Sequence, residues 1–581
     1  EPKSLFLYGN PSKTALSILE AVYDGPYDRR NFDLQPVIIE SKPSFENGSA
    51  KFEAVQVSPG DLILDKDGNW VNLGEGVLYR PSGCQGDECV QAYSGSEPVL
   101  IDSLVVRFKL IPGVVWSDGA PVTAHDSVYS FGVAKSLYPN YRPELVVHTS
   151  AYQAIDDTTV EWRGVPGYQS SLYQSFFFSP LPSHLWGSLE PEDLLSAEIS
   201  SRMPVGWGPY VVDTWVTGDH ISLRKNNAYF RAVEGLPNFD NLVFRFMDNS
   251  DEAVSALLAG ECDLADESAI GESQATALRT LQTEGKLVVS IQPGTAWEQA
   301  VFGIVHSDIQ QPSFFGIKEV RQAVAMCIDR QKVVEDEFAG LSVAPDSYVL
   351  PTHPLYNPDV KRYEFNPAAA NDLLTAAGWL DADSDPATAR VSAGVPGFVN
   401  GTPFQFAYLT SGDGERQRVA QVVKDSLAQC GIEVDLVLQS WEELLAAGPD
   451  GPVFGRNFDM AQFGWYTSTE PPCSLYTSAE VPGPYPTAPK GWGGANASGF
   501  SSPEFDQACR EAFSLFPGSA AYQEAHFKAQ EIFAEELPSL PLYVHLKLVA
   551  TRPDFCGLEM DPSSLSALWN LEAFEYGESC P

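Results

Sequence analysis

The chain has 581 residues, of which 44% are hydrophobic and 12% aromatic. This length exceeds what a single hydrophobic core usually serves, and the apolar content is typical of folded domains, so we expect about two or three domains. Lys and Arg number 36 against 77 Asp and Glu, which gives a formal net charge of −41. Nucleic acids and anionic membrane surfaces both require a basic footprint, and this charge therefore argues against them as partners.

The sequence contains no run of about 18 apolar residues, so it predicts no membrane-spanning helix. It opens with EPKSLFLYGN, which has neither the positive start nor the apolar stretch of a signal peptide. We therefore expect a mature chain whose export signal has been removed.

The first part of the chain combines turn-rich and strand-like segments. Residues 45–100 are rich in Gly, Ser, Asp and Pro and predict an elaborated β-hairpin region. Residues 103–110, SLVVRFKL, have the β-branched character of a strand. The WSDG stretch at 116–119 then predicts a tight turn, and Thr123 with Asp126 is typical of a helix capping box. No nucleophile with an adjacent base occurs there, so we interpret this strand, turn and helix as scaffold.

Strand-like and helical patterns alternate through the rest of the chain, which is typical of α/β layers. The predicted elements are strands at 220–226 and 241–248, a helix at 251–259 ended by Gly260 and followed by a strand, one long helix at 318–340, a capped helix at 366–378, and a helix, turn and strand over 418–440.

The chain has nine cysteines. Cys84 and Cys89 flank a Gly-containing loop, which favours a small disulfide ring over half of a zinc site, because no second CxxC or His pair lies nearby. A disulfide indicates an oxidising compartment. The odd count leaves at least one thiol free or paired outside the chain. Position alone suggests two further pairs, Cys473 with Cys509 and Cys556 with Cys580.

Several stretches, taken in order, carry a resemblance to a known family. They are GVVWSDGAPVTAHDSVYSF (113–131), GWGPYVVDTWVTGDHISLRKNNAYF (206–230), ALLAGECDLA (256–265), KEVRQAVAMCIDRQKVV (318–334), YEFNPAAANDLLTAAGW (363–379) and SLPLYVHLKLV (539–549). Each alone is weak, but their shared order is specific. In this order they resemble the family 5 extracellular solute-binding proteins, the peptide- and nickel-binding components of ABC importers. Residues 45–100 fit least well and look like an insertion.

The resemblance implies an α/β, two-lobed periplasmic-binding-protein-like (type II) fold with an extra subdomain on the first lobe. Such a receptor closes on its solute by a hinge and performs no chemistry of its own. The WSDG turn would then stiffen the first lobe without contacting ligand. The implied division is lobe I at 1–36, 191–298 and 541–581, the extra subdomain at 37–190, and lobe II at 299–540.

The resemblance also implies a ligand-contacting loop. In the family, a segment of the second lobe that begins with Gly-Trp and ends in Asp-Pro lines the cleft, and here it reads FGWYTSTEPPC. Peptide-binding members usually carry Asp three residues after the Trp, where it holds the ligand's α-ammonium group, but this chain has Ser468. Charge-assisted hydrogen bonds are about twice as strong as neutral ones, so whether Glu470 substitutes stays open. The side chains offered are Trp465 and Tyr466 for stacking, and Thr467, Ser468 and Glu470 for hydrogen bonds and charge.

Further aromatic residues are candidates for ligand contact. Phe177 and Phe178 fall where family members contribute cleft residues, and Trp297 and Tyr543 fall near the expected lobe crossing. Core packing is the alternative for each. The 12 Trp would also suit sugar rings, and some family members bind oligosaccharides, so a non-peptide solute stays open.

We expect no metal and no cofactor. Residues 65–70 and 381–385 carry carboxylates at alternate positions, as calcium loops do, but neither continues with the Gly and distal Glu of an EF-hand. Turn chemistry explains both. The nickel or haem bound by some family members would require a His or Arg in the cleft, and the sequence singles out none.

The resemblance implies an extracytoplasmic monomer, in the periplasm or on the outer face of the membrane. It would deliver an oligopeptide, or another polar solute, to ABC permease subunits, and would reach the membrane only through a possible lipid anchor. Catalysis is not expected, because no G-x-S-x-G elbow or HExxH spacing occurs. The competing classes are a secreted hydrolase and a surface adhesion protein, and the latter would be expected to show repeats or an anchoring tail.

Overall fold

The computed structural model describes residues 1–84, 86–383, 385 and 388–577. The chain divides into two compact units, each described by itself below. Unit 1 comprises Glu1–Ile270, Leu281–Val289 and the chain from Val549 onward, and unit 2 comprises Gly271–Thr280 and Ser290–Leu548. Both units combine helices with sheet, as the predicted α/β class requires. The lobe and subdomain boundaries implied by the resemblance stay predictions.

The helices and strands are numbered in chain order. The α-helices are α1 Lys13–Val22, α2 Ala124–Ser136, α3 Pro143–His148, α4 Ser183–Trp186, α5 Glu198–Ser201, α6 Ser250–Ala259, α7 Ala275–Thr283, α8 Lys318–Cys327, α9 Arg330–Phe338, α10 Pro367–Ala376, α11 Gly414–Ala428, α12 Trp441–Leu444, α13 Pro503–Ser514 and α14 Ala520–Glu536. The strands are β1 Tyr27–Arg30, β2 Asp33–Pro36, β3 Ala50–Val57, β4 Leu62–Leu64, β5 Trp70–Asn72, β6 Leu78–Tyr79, β7 Gln91–Ala92, β8 Val99–Lys109, β9 Thr149–Ala154, β10 Thr159–Gly164, β11 Tyr210–Val216, β12 His220–Lys225, β13 Asn241–Arg245, β14 Leu264–Ala265, β15 Val288–Phe302, β16 Trp379–Leu380, β17 Val391–Ser392, β18 Gln405–Ser411, β19 Glu433–Gln439, β20 Met460–Tyr466, β21 Ser539–Thr551, β22 Phe555–Cys556 and β23 Glu575–Tyr576.

Unit 1 is built around a four-stranded antiparallel sheet in the order β3-β8-β10-β9 and a three-stranded sheet in the order β11-β12-β13. The predicted WSDG turn follows β8. Trp116 is fully buried and meets Trp207 edge-on, with ring centroids 5.4 Å apart. Gly119 has a φ of 91°, a value that residues with a Cβ rarely adopt. The backbone N–H of Thr123 donates to Asp126 Oδ2 at 2.9 Å, so the cap predicted for this helix start is confirmed.

Unit 2 contains the strands β20, β18 and β19 and most of β21 and β15, and the five are neighbours in the order β21-β15-β20-β18-β19. β18 and β19 are parallel, and α11 connects them. Asp413 begins α11 by accepting the backbone N–H of Arg416 at 2.9 Å, and Gly431, with a φ of 66°, leads into β19. Because parallel strands need a crossover connection, the helix, turn and strand predicted at 418–440 are confirmed as part of a βαβ unit.

The single helix predicted over 318–340 is wrong, because the structure has two helices there, α8 and α9. Ile328 lies between them with extended backbone, at φ −99° and ψ 116°. The Asp329 carboxylate then accepts the backbone N–H of Lys332 at 2.9 Å and caps α9. Because such a side chain competes for backbone N–H groups, it favours a new helix start over continuation, although the apolar spacing runs through the break.

Disulfide bonds join three cysteine pairs among the described residues: Cys84 with Cys89, Cys327 with Cys430, and Cys473 with Cys509. The first and third are the pairs that the sequence suggested, and the second was missed. Cys556 is also disulfide-bonded, and Cys580, its suggested partner, lies outside the described residues. Cys262 is a free thiol.

The missed bond is the one whose loss should cost most. It joins residues 103 apart in sequence, and both of its cysteines are fully buried. Replacing Cys327 and Cys430 together by Ser should lower the free energy of unfolding by about 4–5 kcal/mol, because the bond restricts a long loop in the unfolded chain. The Cys84/Cys89 pair spans only 5 residues, and its double Ser variant should lose about 2 kcal/mol. Urea unfolding measures both, and equal losses would contradict the loop-length argument.

Candidate functional site

The Gly-Trp segment that was predicted to contact ligand ends strand β20 in unit 2. Because β20 pairs with β15, Trp465 lies opposite Trp297 and Gly464 lies opposite Glu298. Tyr466 is 66% exposed. Its ring is parallel to that of Trp465, with centroids 6.2 Å apart and an interplanar angle of 3°. Trp465 and Tyr466, called the aromatic pair below, therefore place two parallel rings at the end of the strand.

Little space remains behind Trp465. Trp465 is partly buried against two core clusters, one of which contains Trp297 and the other Phe463. The cavity that remains beside Gln299 and Tyr476 has a volume of about 10 Å³. That is room for roughly one water molecule, so no solute group fits behind the ring. Contact with a solute would have to occur on the outer side of the aromatic pair.

The loop that follows the aromatic pair is fixed at both ends. The backbone N–H of Thr467 donates to Thr295 O at 2.9 Å. At the other end, Cys473 is bonded to Cys509 on α13. Between them, His353 Nε2 lies 3.1 Å from Ser468 O, while Nδ1 accepts the backbone N–H of Leu355 at 3.0 Å. Since Nδ1 accepts, Nε2 carries the proton and donates, and His353 therefore holds the loop as a neutral ring.

The remaining predicted contact residues differ in accessibility. Thr467 and Glu470 are buried, and Ser468 is half-buried with its hydroxyl 3.4 Å from Glu470 O. Trp297 and Tyr543 are fully buried in unit 2. Their role as ligand contacts stays a prediction.

Phe177 and Phe178 lie in the core of unit 1 and are both buried. The Phe178 ring lies 5.1 Å from that of Tyr152, and the Phe177 ring lies 5.5 Å from that of Phe108. Packing of this kind is the alternative that the sequence left open for both residues. The structure therefore places Trp297 opposite Trp465 of the aromatic pair in unit 2, whereas the two Phe residues belong to unit 1.

An ionic cluster that the sequence analysis missed lies beside Gly464. It consists of Glu272, Glu298, Glu415, Arg416 and His545, all in unit 2. Glu298 is fully buried, and Arg416 donates to both of its oxygens, from Nε at 2.7 Å and from Nη2 at 3.1 Å. His545 donates to Glu272 and Glu298 at 2.8 and 3.1 Å. Burial alone would lower the pKa of His545, but these two hydrogen bonds raise it to about 10, so the ring is an imidazolium.

One feature of the sequence could have indicated this cluster. Glu298 lies within the apolar run of β15, where a charged residue is rarely fully buried unless it is paired. The pattern indicates that a partner exists, but not which one. Arg416 and His545 are 118 and 247 residues away along the chain.

A pair of neighbouring histidines, His353 and His526, lies near the loop. His526 on α14 is fully buried, and neither ring nitrogen has a hydrogen-bond partner among the described residues. Burial lowers the pKa of His526 to about 3 and that of His353 to about 4. Both rings are therefore neutral at ordinary pH, and neither provides a charge for recognition.

Residues 95–484 match the family model described as bacterial extracellular solute-binding proteins, family 5 Middle. This match covers more than half of the chain. The chain belongs to this family.

Relatives of this family 5 protein agree with the assignment. It is 25% identical over 483 residues to the oligopeptide-binding protein AppA of Bacillus subtilis, covering 81% of this chain and 80% of that protein. The crystal structure of the ABC transporter substrate-binding protein CtaP from Listeria monocytogenes superposes with a TM-score of 0.70 at 18% identity, covering 100% and 98% of the two chains. An oligopeptide-binding protein from Thermus thermophilus, complexed with a pentapeptide, gives a TM-score of 0.66 at 20% identity, covering 99% and 95%.

These findings confirm the resemblance and the fold class. Family 5 proteins and the relatives named above are binding proteins rather than enzymes, which agrees with the expectation that this chain performs no chemistry. Within the described ranges, no helix has the length and apolar character that a membrane span requires.

The buried histidine His526 leads to a pH-dependent prediction. In the unfolded chain its pKa is about 6.5, whereas the folded value is about 3. As the pH falls below about 6.5, the unfolded chain binds a proton that the folded chain does not, so the free energy of unfolding decreases down to the folded pKa. At pH 5 this proton binding by the unfolded chain lowers the free energy of unfolding by about 2 kcal/mol. Between pH 7.5 and pH 5, the free energy of unfolding of His526→Phe should therefore decrease by about 2 kcal/mol less than that of the parent protein. Urea unfolding at the two pH values measures this difference.

The control is His125→Phe, which replaces an exposed histidine and leaves the buried His526 ring in place. Removing two buried nitrogens without partners should also leave His526→Phe at least as stable as the parent at pH 7.5. An unchanged loss of stability between the two pH values would contradict the assignment.

Proposed function

We propose that this family 5 protein is the extracytoplasmic substrate-binding component of an ABC importer, and that it captures an oligopeptide and delivers it unaltered to the permease. Family membership supports the binding class. The relatives support the solute, since one is named an oligopeptide-binding protein and another was solved with a pentapeptide. The proposal includes the closing movement that the resemblance implies, which small-angle scattering measures as a ligand-dependent fall in the radius of gyration.

The observation that carries the proposal is the aromatic pair, with the exposed ring of Tyr466, on an anchored strand end. Large aromatic rings are usually buried, and Tyr466 is 66% exposed. The loop behind it is held by a disulfide, by His353 and by a backbone hydrogen bond from Thr467. A rigid aromatic surface loses little conformational entropy when it binds, which is what a recognition surface requires.

A peptide main chain suits this location for a second reason. Importers of oligopeptides must accept varied side chains, and recognition of the repeating backbone is indifferent to side-chain identity. The aromatic pair would then contact whichever side chain lies against it. The α-ammonium group would need an acidic partner, and the nearest residue of that kind in the loop sequence is Glu470.

An oligosaccharide is the second candidate, and one specific observation favours it. Ser468 stands where peptide-binding members usually carry an ammonium-binding Asp, and Glu470 is buried. A neutral hydroxyl beside an exposed Tyr ring and a partly buried Trp ring suits stacking on sugar rings as well as it suits a peptide.

Mass spectrometry of the solute that co-purifies with the full chain separates these candidates. A peptide ladder supports the proposal, and an oligosaccharide supports the alternative. Isothermal titration with the identified solute should then show saturable binding, and the recovered solute should have an unchanged mass. A changed mass would indicate an enzyme and overturn the proposal.

Tyr466→Ala should weaken binding of that solute at least threefold, and Trp465→Ala should weaken it at least tenfold, or about 1.4 kcal/mol. Trp465 also packs into the core, so Tyr466→Ala, which removes an exposed ring, is the variant free of folding effects. The control is Trp70→Ala, which removes a partly exposed Trp from β5 in unit 1. If Trp465→Ala and Tyr466→Ala bind the solute as tightly as the control does, the aromatic pair does not contact the solute.

A further inference from the structure

The ionic cluster beside Gly464 brings together residues from separate parts of unit 2. Glu272 lies in the segment Gly271–Thr280, and Glu298 lies on β15. Glu415 lies in the first turn of α11, and His545 lies on β21. A cluster assembled from such distant segments is a product of the fold and not of one acidic stretch.

The ligand-bearing atoms of three of these residues converge. His545 Nδ1 lies 2.8 Å from Glu272 Oε1 and 4.0 Å from Glu415 Oε1. One ligand atom from each of Glu272, Glu415 and His545 lies within 4.8 Å of the other two. Within the described ranges, no other group of three or more His, Cys, Asp or Glu side chains meets this spacing. A small cation placed among them would reach one nitrogen and two carboxylate oxygens.

The other ring nitrogen of His545 is fixed by a buried carboxylate. Nε2 lies 3.1 Å from Glu298 Oε2, and Glu298 is itself fully buried and held by Arg416. A histidine that binds a metal through one nitrogen almost always donates its other N–H to a carboxylate or carbonyl, which fixes the ring and raises the basicity of the ligand nitrogen. Glu298 occupies that position here, so His545 Nδ1 is aimed at the two carboxylates by an independent contact.

The cluster has more carboxylates than cationic groups, so its charge favours a bound cation. Arg416 is its permanently charged cationic group, while Asp413, whose carboxylate also accepts from Arg416, adds to the three glutamates. The Tyr543 hydroxyl donates to Glu415 Oε1 at 3.0 Å. Glu272 uses Oε1 for His545, whereas its Oε2 is buried and has no hydrogen-bond partner in the part of the chain that the structure describes. A buried carboxylate oxygen without a partner costs stability, and a cation would satisfy it.

We propose that His545 Nδ1, Glu272 and Glu415 form a binding site for a divalent transition-metal cation, with zinc as the representative ion. Binding replaces the proton on Nδ1, which leaves to solvent, while Nε2–H continues to donate to Glu298. One imidazole nitrogen and two carboxylate oxygens are ligands that zinc accepts, and the fourth position stays open for water or a solute group. Calcium and magnesium, which prefer oxygen ligands in larger number, fit this set less well.

The site is distinct from the aromatic pair and does not depend on the proposed peptide binding. The test therefore uses the full chain without peptide, freed of metal by chelation. Zinc is titrated by isothermal calorimetry, and thermal unfolding is recorded with zinc, calcium and magnesium. We expect one zinc ion per chain and a rise in unfolding temperature with zinc that exceeds the rise with calcium or magnesium.

Glu415→Gln and Glu272→Gln keep the shape of the side chain and remove one ligand charge, and each should weaken zinc binding at least tenfold. His545→Gln should abolish it, and if this variant fails to fold, the two glutamine variants decide alone. The matched control is His184→Gln, because His184 Nε2 also pairs with a carboxylate, that of Asp118 at 2.7 Å, in unit 1. This control should bind zinc as the parent does.

Absence of stoichiometric zinc binding would overturn the proposal. So would zinc affinity that is unchanged in folded Glu415→Gln and Glu272→Gln, or that is lost in His184→Gln, since either result places the ion elsewhere. Loss of peptide binding in the Tyr466→Ala variant leaves this outcome unaffected, so the two proposals fail separately.

Discussion

The pairing of β20 with β15 is the constraint on which the candidate site depends. In this register Gly464 faces Glu298, and a Cβ atom at residue 464 would lie 2.9 Å from Glu298 Oε2. Real Cβ atoms essentially never approach an oxygen so closely, so a larger residue would displace either the carboxylate or the strand. The absence of a side chain at this position lets a fully buried ion pair lie directly against the strand that carries the aromatic pair.

The same two strands separate an apolar environment from a charged one. Successive side chains of a strand point to opposite faces, so Trp465 and Trp297 share one face while Gly464 and Glu298 share the other. On the first face Trp465 packs into core clusters and leaves no space behind it for a solute. On the second face Glu298 is tolerated in a fully buried position because Arg416 and His545 donate to it. The apolar packing of Trp465 and the ionic contacts of Glu298 therefore do not compete for the same face of the strands.

Local elements could be predicted from the sequence, and contacts between distant residues could not. The capped start of α2 and the helix, turn and strand around α11 follow from residues within a few positions of each other, such as Thr123 with Asp126. The break between α8 and α9 was missed because apolar spacing says nothing about the side chain of Asp329. Of the disulfide bonds described here, the sequence suggested those that span 5 and 36 residues and missed the one that spans 103. The location of the Gly-Trp loop came from the resemblance, whereas the ionic cluster needed the fold.

The candidate solute surface and the candidate metal site differ in the same way: one is formed by neighbours in sequence, and the other by residues that only the fold brings together. The aromatic pair consists of neighbours in sequence, and its importance rests on exposure, which is 66% for Tyr466. The metal site rests on convergence, because Glu272 and His545 are 273 residues apart and meet at 2.8 Å. The aromatic pair lies on β20, whereas the proposed ligands lie on β21, on α11 and in the segment Gly271–Thr280. A substitution that removes the exposed ring of Tyr466 therefore leaves the contacts among those ligands intact. The two activities are therefore structurally adjacent and experimentally separable.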